Sequence, residues 1–200
     1  LLEPYGGHIL NLGVSDTTTL TALLALGSLL SFAVAARDLS AGGDACRLAA
    51  FGVLAGIPAF GAVIFAAPVE SAALFRVGTF LIGFGAGLFA VGTLTAAMDL
   101  AADGQSGLAL GAWGAVQATS AGIAIAAGGA MRDIVSVLSE AGTLGPALAG
   151  PSTGYSFVYH FEIALLFATL IAIGPLVRMF KPREIPTTPR SEFGLAQMPG

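Results

Sequence analysis

The sequence predicts an all-α integral membrane protein with five transmembrane helices, and three observations carry that reading. Hydrophobic residues make up 56% of the chain and charged residues only 10%, with a mean hydropathy of +0.86, far from the balance that a water-facing surface requires. Five stretches run with few or no charges for about twenty residues, the length a helix needs to cross a bilayer at its usual rise. Period-2 alternation is absent while Ala, Leu and Gly dominate, so a β-barrel is not expected.

Taken in order, residues 1–16 read as an external segment. Leu1 is not an initiator methionine, and the first apolar run lacks the flanks of a signal peptide, so the chain reads as a fragment of a longer one. His8, in "YGGHIL", is expected in an external loop there. The first span covers about 17–36 and the second about 48–69, where Pro58 removes a backbone donor and crowds the preceding turn, so a kink is expected. The third covers about 77–98 and the fourth about 104–131. Both carry small residues at the four-residue spacing through which helices pack in lipid: Gly83 and Gly87 on the third, Gly107 and Gly111, then Gly114, Ala118, Gly122 and Ala126, on the fourth. In "GFGAGLFA", Gly85, Gly87 and Ala90 match a dinucleotide fingerprint, but that motif needs a preceding strand, and mid-membrane it reads as packing. The fifth span, about 155–177, qualifies once His160 and Glu162 are tolerated. The tail, 178–200, is polar and proline-rich and is expected to be disordered.

Charge sets the orientation. One side carries Arg37, Arg47, Arg178, Lys181, Arg183 and Arg190, the other Arg76 and Arg132; six against two places the first loop and the C-terminus in the cytoplasm. Several function classes drop out. The single cysteine, Cys46, permits no intrachain disulfide and no Cys-based metal site, and a net charge of −4 without a basic, aromatic-laced cluster speaks against nucleic acid. No P-loop, serine elbow, H-E-x-x-H or paired-Cys motif occurs, so the chain reads as non-enzymatic.

The polar residues within the spans remain. Gln117 lies near the middle of the fourth span, where an unsatisfied amide is costly, with Trp113 one turn earlier on the same face. Interhelical bonding and ligand contact both account for that pair. His160 and Glu162 differ by about 200° around a helix and point to opposite sides, so they are not a catalytic pair. Glu162 shares its face with Tyr155, Tyr159, Leu166 and Thr169. Two readings stand: an interfacial Tyr/His/Glu cluster, or a cavity lined by Glu162 and Tyr159 with neutral His160 as an axial ligand to a chelated metal such as chlorin magnesium.

Several stretches together resemble the C-terminal half of the PucC, or bacteriochlorophyll-delivery, family of the major facilitator superfamily. They are "EPYGG", "TTTLTALLALGSLLSFAVAARDLSAGGDACRLA", "LFRVGTFLIGFGAGLFAVGTLTAAM", "GLALGAWGAVQATSAGIAIAAGG" and "TGYSFVYHFEIALLF". The resemblance implies that the first residues end a truncated helix 7 and that the five spans are helices 8–12 of a twelve-helix bundle. It also makes "AARDLSAGGDACRL", with Arg37, Asp38, Gly43, Asp44 and Arg47, a degenerate echo of the superfamily's cytoplasmic loop motif. Further implied is a role in assembling light-harvesting antenna complexes in the inner, photosynthetic membrane of bacteria. That role has bacteriochlorophyll as cargo, and antenna polypeptides or a reaction-centre antenna complex as partners. A secondary transporter using Glu162 as its coupling acid, and a structural subunit docked on a photosynthetic complex, are the competing readings.

Overall fold

Backbone amides in a bilayer have no water to bond, so each apolar run must close its hydrogen bonds internally, and helices result. The computed structural model describes residues 1–101 and 104–179. Its helices are α1 (Leu2–Ile9), α2 (Val14–Ser40), α3 (Ala45–Ala66), α4 (Ala72–Asp99), α5 (Ser106–Glu140) and α6 (Thr153–Met179), with a short 3-10 turn at Pro146–Leu148. No strand occurs among the described residues. The five helices from α2 to α6 are long and apolar enough to cross a membrane. The expectation of a disordered tail falls, from residue 180 on, outside the described residues.

Helices α2, α4 and α6 outrun at both ends the uncharged runs that mark them in the sequence, and α5 does so at its C-terminal end. Hydrophobicity marks where lipid ends, whereas a helix ends where its backbone finds a cap. Thus α5 continues past Met131 through Arg132 and Asp133, which pair at 2.6 Å, and stops only at Glu140. Two other helices begin at side-chain caps: Asp44 accepts from Arg47 N at 2.6 Å to open α3, and Ser71 accepts from Leu74 N at 3.2 Å to open α4. Between α2 and α3 the chain reverses through Gly42, whose φ of 84° lies in the left-handed region that favours glycine. There Gly43 N donates to Asp38 O at 2.9 Å, and Arg47 reaches back to Asp38 at 3.7 Å. Asp38, Gly43, Asp44 and Arg47 therefore build one tight α2–α3 turn.

Helix α4 is the centre of the bundle, packed against α3 on one side and α2 on the other. Glycine makes both contacts. A Cβ added at Gly52 of α3 would stand 2.5 Å from Gly85 O of α4, and one at Gly85 would stand 2.6 Å from Gly52 O. A Cβ at Gly92 would lie 2.6 Å from both Ala45 O and Ala49 N. Across the other face, Gly83 abuts Leu24 O of α2, Gly27 abuts Phe80 O, and Gly87 abuts Ser31. The fingerprint-like "GFGAGLFA" is thus where α4 presses its backbone on both neighbours.

The small-residue stripe of α5 behaves differently. A Cβ added at Gly107, Gly111, Gly114 or Gly122 would meet nothing within 4 Å, so this row, expected to pack helices, packs none of the described ones. The physical reason is that α5 meets α4 through a long side chain, while its backbone comes close only to α6. Near its start Trp113 Nε1 donates to Thr93 Oγ1 of α4 at 3.2 Å. In its last third, Gly154 of α6 lets the two backbones meet, an added Cβ standing 2.6 Å from Arg132 O. Between those contacts α5 stands away.

A substitution pair tests the glycine account. Gly83→Ala drives a methyl into the α2 backbone and is expected to cost about 1–3 kcal/mol, the range for overpacking. Gly61→Ala, with nothing within 4 Å of its new methyl, is expected to be neutral or to stabilise by up to about 1 kcal/mol. Thermal unfolding of both variants in mild detergent checks this.

Candidate functional site

One face of α6 carries the candidate site, because residues three and four apart stack along a helix. Tyr155 and Tyr159 on that face are buried, and Glu162, Leu166 and Thr169 are half-buried. Tyr5 of α1 is the hub of the aromatic cluster at the upper end. Its ring centroid lies 5.3 Å from Phe75, 5.4 Å from Tyr155 and 5.6 Å from Tyr159, the last two edge-on as ring quadrupoles prefer. Its hydroxyl reaches Val63 O at 3.4 Å.

Below this cluster Glu162 lies where two cavities meet. One, of about 300 Å³, lies between α3, α4 and α6, its walls mostly apolar, with Gly52, Gly56, Phe89 and Leu166 along it and Thr169 at its far end. The other, of about 260 Å³, is bounded by Leu1 and Leu2, by Ala124, Ile125 and Gly128 of α5, and by Tyr159. Both include Phe60, Ile82 and Glu162. The second cavity exists because α5 stands off from α4 and α6. Glu162 receives no hydrogen bond from any described side chain, and the buried Tyr159 hydroxyl has no partner either. An unsatisfied buried hydroxyl beside an apolar space is costly unless something polar visits it.

His160 lies on the opposite face and is exposed. Its Nδ1 is 2.7 Å from Ser156 O. A carbonyl can only accept, so Nδ1 carries the hydrogen and a neutral ring keeps its lone pair on the outward Nε2. Metal-binding histidines are commonly fixed by such a backbone bond. No cluster of three His, Cys, Asp or Glu able to hold a metal ion occurs among the described residues.

The pair expected on α5 separates. Trp113 is bonded to Thr93, whose hydroxyl in turn donates to Phe89 O at 2.8 Å, so it joins helices. Gln117 is half-buried with no hydrogen-bond partner among the described residues and borders neither cavity at Glu162.

Another cluster has no signature in the sequence. His8 ends α1 rather than lying in a loop, and its Nδ1 is 3.1 Å from the Tyr155 hydroxyl. Arg132 Nη2 donates to the same hydroxyl at 3.0 Å, with the guanidinium 4.6 Å from the centre of the Tyr155 ring. The three residues lie on three helices, and no local spacing announces the contact. The usable signal is that Arg132 is the first charge after the longest uncharged run.

The sequence profile of the PUCC protein family matches residues 1–180. The "Uncharacterized protein in puhA-bchM intergenic region" of Rhodobacter capsulatus is 50% identical over 201 residues, covering 100% of this chain and 42% of that protein. "Protein PucC" of Cereibacter sphaeroides is 47% identical over 178 residues, 89% of this chain and 38% of the relative. "Protein PucC" of Rhodovulum sulfidophilum is 53% identical over 141 residues, 70% of this chain and 31% of the relative. The chain thus spans less than half the length of these relatives. No solved structure matches.

A double-mutant cycle on Trp113→Phe and Thr93→Val, read by thermal unfolding, is expected to return a coupling of about 0.6 kcal/mol, the mean for interhelical hydrogen bonds in membranes. Zero coupling would return Trp113 to the ligand-contact reading.

Proposed function

The chain belongs to the PUCC protein family, and from that premise we propose that it is part of an assembly factor for bacterial light-harvesting complexes. In this reading the protein binds bacteriochlorophyll and hands it to antenna polypeptides in the inner, photosynthetic membrane, with its C-terminus in the cytoplasm. The single observation that carries the pigment step is the placing of His160: exposed, with Nδ1 held 2.7 Å from Ser156 O, which leaves Nε2 as the nitrogen without a protein partner. A magnesium chlorin needs one such axial nitrogen and an apolar surface for its ring. Phe157, Phe161 and Phe167, all exposed on the same helix, provide apolar area near His160. Twelve helices of the major-facilitator type, of which these five would be helices 8–12, accord with a chain of under half the relatives' length.

Glu162 favours a second reading. A carboxyl at a membrane cavity is the usual mark of a proton-coupled carrier. In that case Glu162 is the coupling acid and Tyr159 a substrate contact.

Two variants of the full-length protein separate these readings. Under the assembly reading, purification in mild detergent from a pigmented host yields a near-infrared chlorin band that falls severalfold in His160→Ala and persists in Glu162→Gln. Under the carrier reading, Glu162→Gln abolishes proton-coupled uptake into vesicles while His160→Ala leaves it intact. A protein with no chlorin band in either form would overturn the pigment step.

A further inference from the structure

A cavity of about 420 Å³ opens where the end of α1, the last turns of α5 and the start of α6 converge, away from Glu162. Its polar wall is His8, Arg132, Asp133, Ser136, Glu140 and Tyr155. Asp133, Ser136 and Glu140 recur at helical spacing, so α5 offers one polar edge to the space.

The hydrogen bonds fix what that wall presents. Arg132 Nη2 can only donate, so the Tyr155 oxygen accepts it at 3.0 Å. All three groups are satisfied when the Tyr155 hydroxyl passes its own hydrogen to His8 Nδ1, 3.1 Å away, which leaves a donor on His8 Nε2. Arg132 Nη1 is held by Asp133 at 2.6 Å, and Arg132 Nε has no partner. Nε is itself buried, so the donors left to the cavity are the second hydrogens of Nη1 and Nη2, with the charge balanced by Asp133 on the same wall. Glu140 is exposed and takes part in no hydrogen bond or ion pair among the described residues. The cavity therefore carries donors at the His8–Arg132 end and an uncompensated carboxylate at the Glu140 end.

A simple anion would meet Glu140, and a simple cation would leave the His8 and Arg132 donors unused. A ligand with phosphate at one end and ammonium at the other answers both. Depth points to its source, since the uncharged run of α5 stops at Met131 and the stretch from Arg132 to Glu140 stands at the level of lipid head groups. We propose that this cavity binds a zwitterionic ammonium–phosphate group, with its phosphate on His8 and Arg132 and its ammonium on Glu140, supplied by an ethanolamine phospholipid.

The test uses full-length protein released from mixed phosphatidylethanolamine and phosphatidylglycerol micelles, with retained lipid counted by native mass spectrometry. Wild type is expected to keep one phosphatidylethanolamine in preference to phosphatidylglycerol. Glu140→Gln, which breaks no contact of the fold, is expected to weaken that preference about fivefold, the worth of a partly exposed ion pair. Soluble glycerophosphoethanolamine forms the other arm. Glu140-dependent binding of that compound without lipid retention would keep the site and move its source to a soluble zwitterion. Equal retention of both lipids with no binding of the soluble compound, or a Glu140→Gln variant that behaves as wild type, overturns the proposal.

Discussion

Everything in this bundle depends on the approach of the α4 backbone to α2 and α3. Lipid tails are as apolar as leucine, so burying a leucine between helices gains little over leaving it in the bilayer, and cohesion has to come from close contact. Glycine at positions 52, 83, 85, 87 and 92 removes the Cβ atoms that would hold the axes apart. Once the axes are close, short polar side chains can cross the gap. Ser28 bonds both Leu24 O of its own helix and Gly83 O of α4, at 3.1 and 3.0 Å. The three-helix layer so formed is the rigid wall against which α6 is placed, with Leu166 seated over Gly56.

From that wall follows the difference between satisfied and unsatisfied polar groups. Hydroxyls within the membrane helices turn back on their own backbone, as Thr79 does to Phe75 O at 3.0 Å and Thr169 to Leu165 O at 2.8 Å, a bond that each helix supplies without any partner. Charges sit towards helix ends and pair there: Arg76 with Asp16 at 2.7 Å, Arg132 with Asp133 at 2.6 Å. Glu162 and the Tyr159 hydroxyl follow neither rule. They lie beside the gap between α5 and α6, so there a gap in packing and an unmet hydroxyl share a location.

The helices and their order were legible because a run of about twenty uncharged, mostly apolar residues matches the thickness of a bilayer and little else. Their ends were not, since Ser71, Asp44 and Gly42 end or begin helices by backbone bonding that hydropathy does not register. The inward face of α6 was also legible, because Tyr155, Tyr159, Glu162, Leu166 and Thr169 lie on one side at helical spacing. Spacing could not say which of two similar small-residue stripes finds a partner. Gly83 and Gly87 meet α2, while Gly107, Gly111, Gly114 and Gly122 meet nothing described, and no property of either stripe taken alone distinguishes them. The His8–Tyr155–Arg132 contact was hidden for the same reason: it joins residues 147 and 23 positions apart, and only the fold supplies that proximity.

The opposition of His160 and Glu162 on α6 gives the two functional readings different directions of travel. A carrier moves its cargo along the bundle, so its polar contacts must line an interior space, which is where Glu162 stands. A factor that passes a membrane-soluble pigment to another membrane protein needs no interior route, because donor, pigment and acceptor all lie in the plane of the bilayer. For such a step the contact must face outward and be flanked by apolar area, and His160 is exposed beside the exposed Phe157 and Phe161. The two residues therefore compete for the function only if there is one cargo path. With an outward and an inward face on the same helix, the two contacts need not share a path.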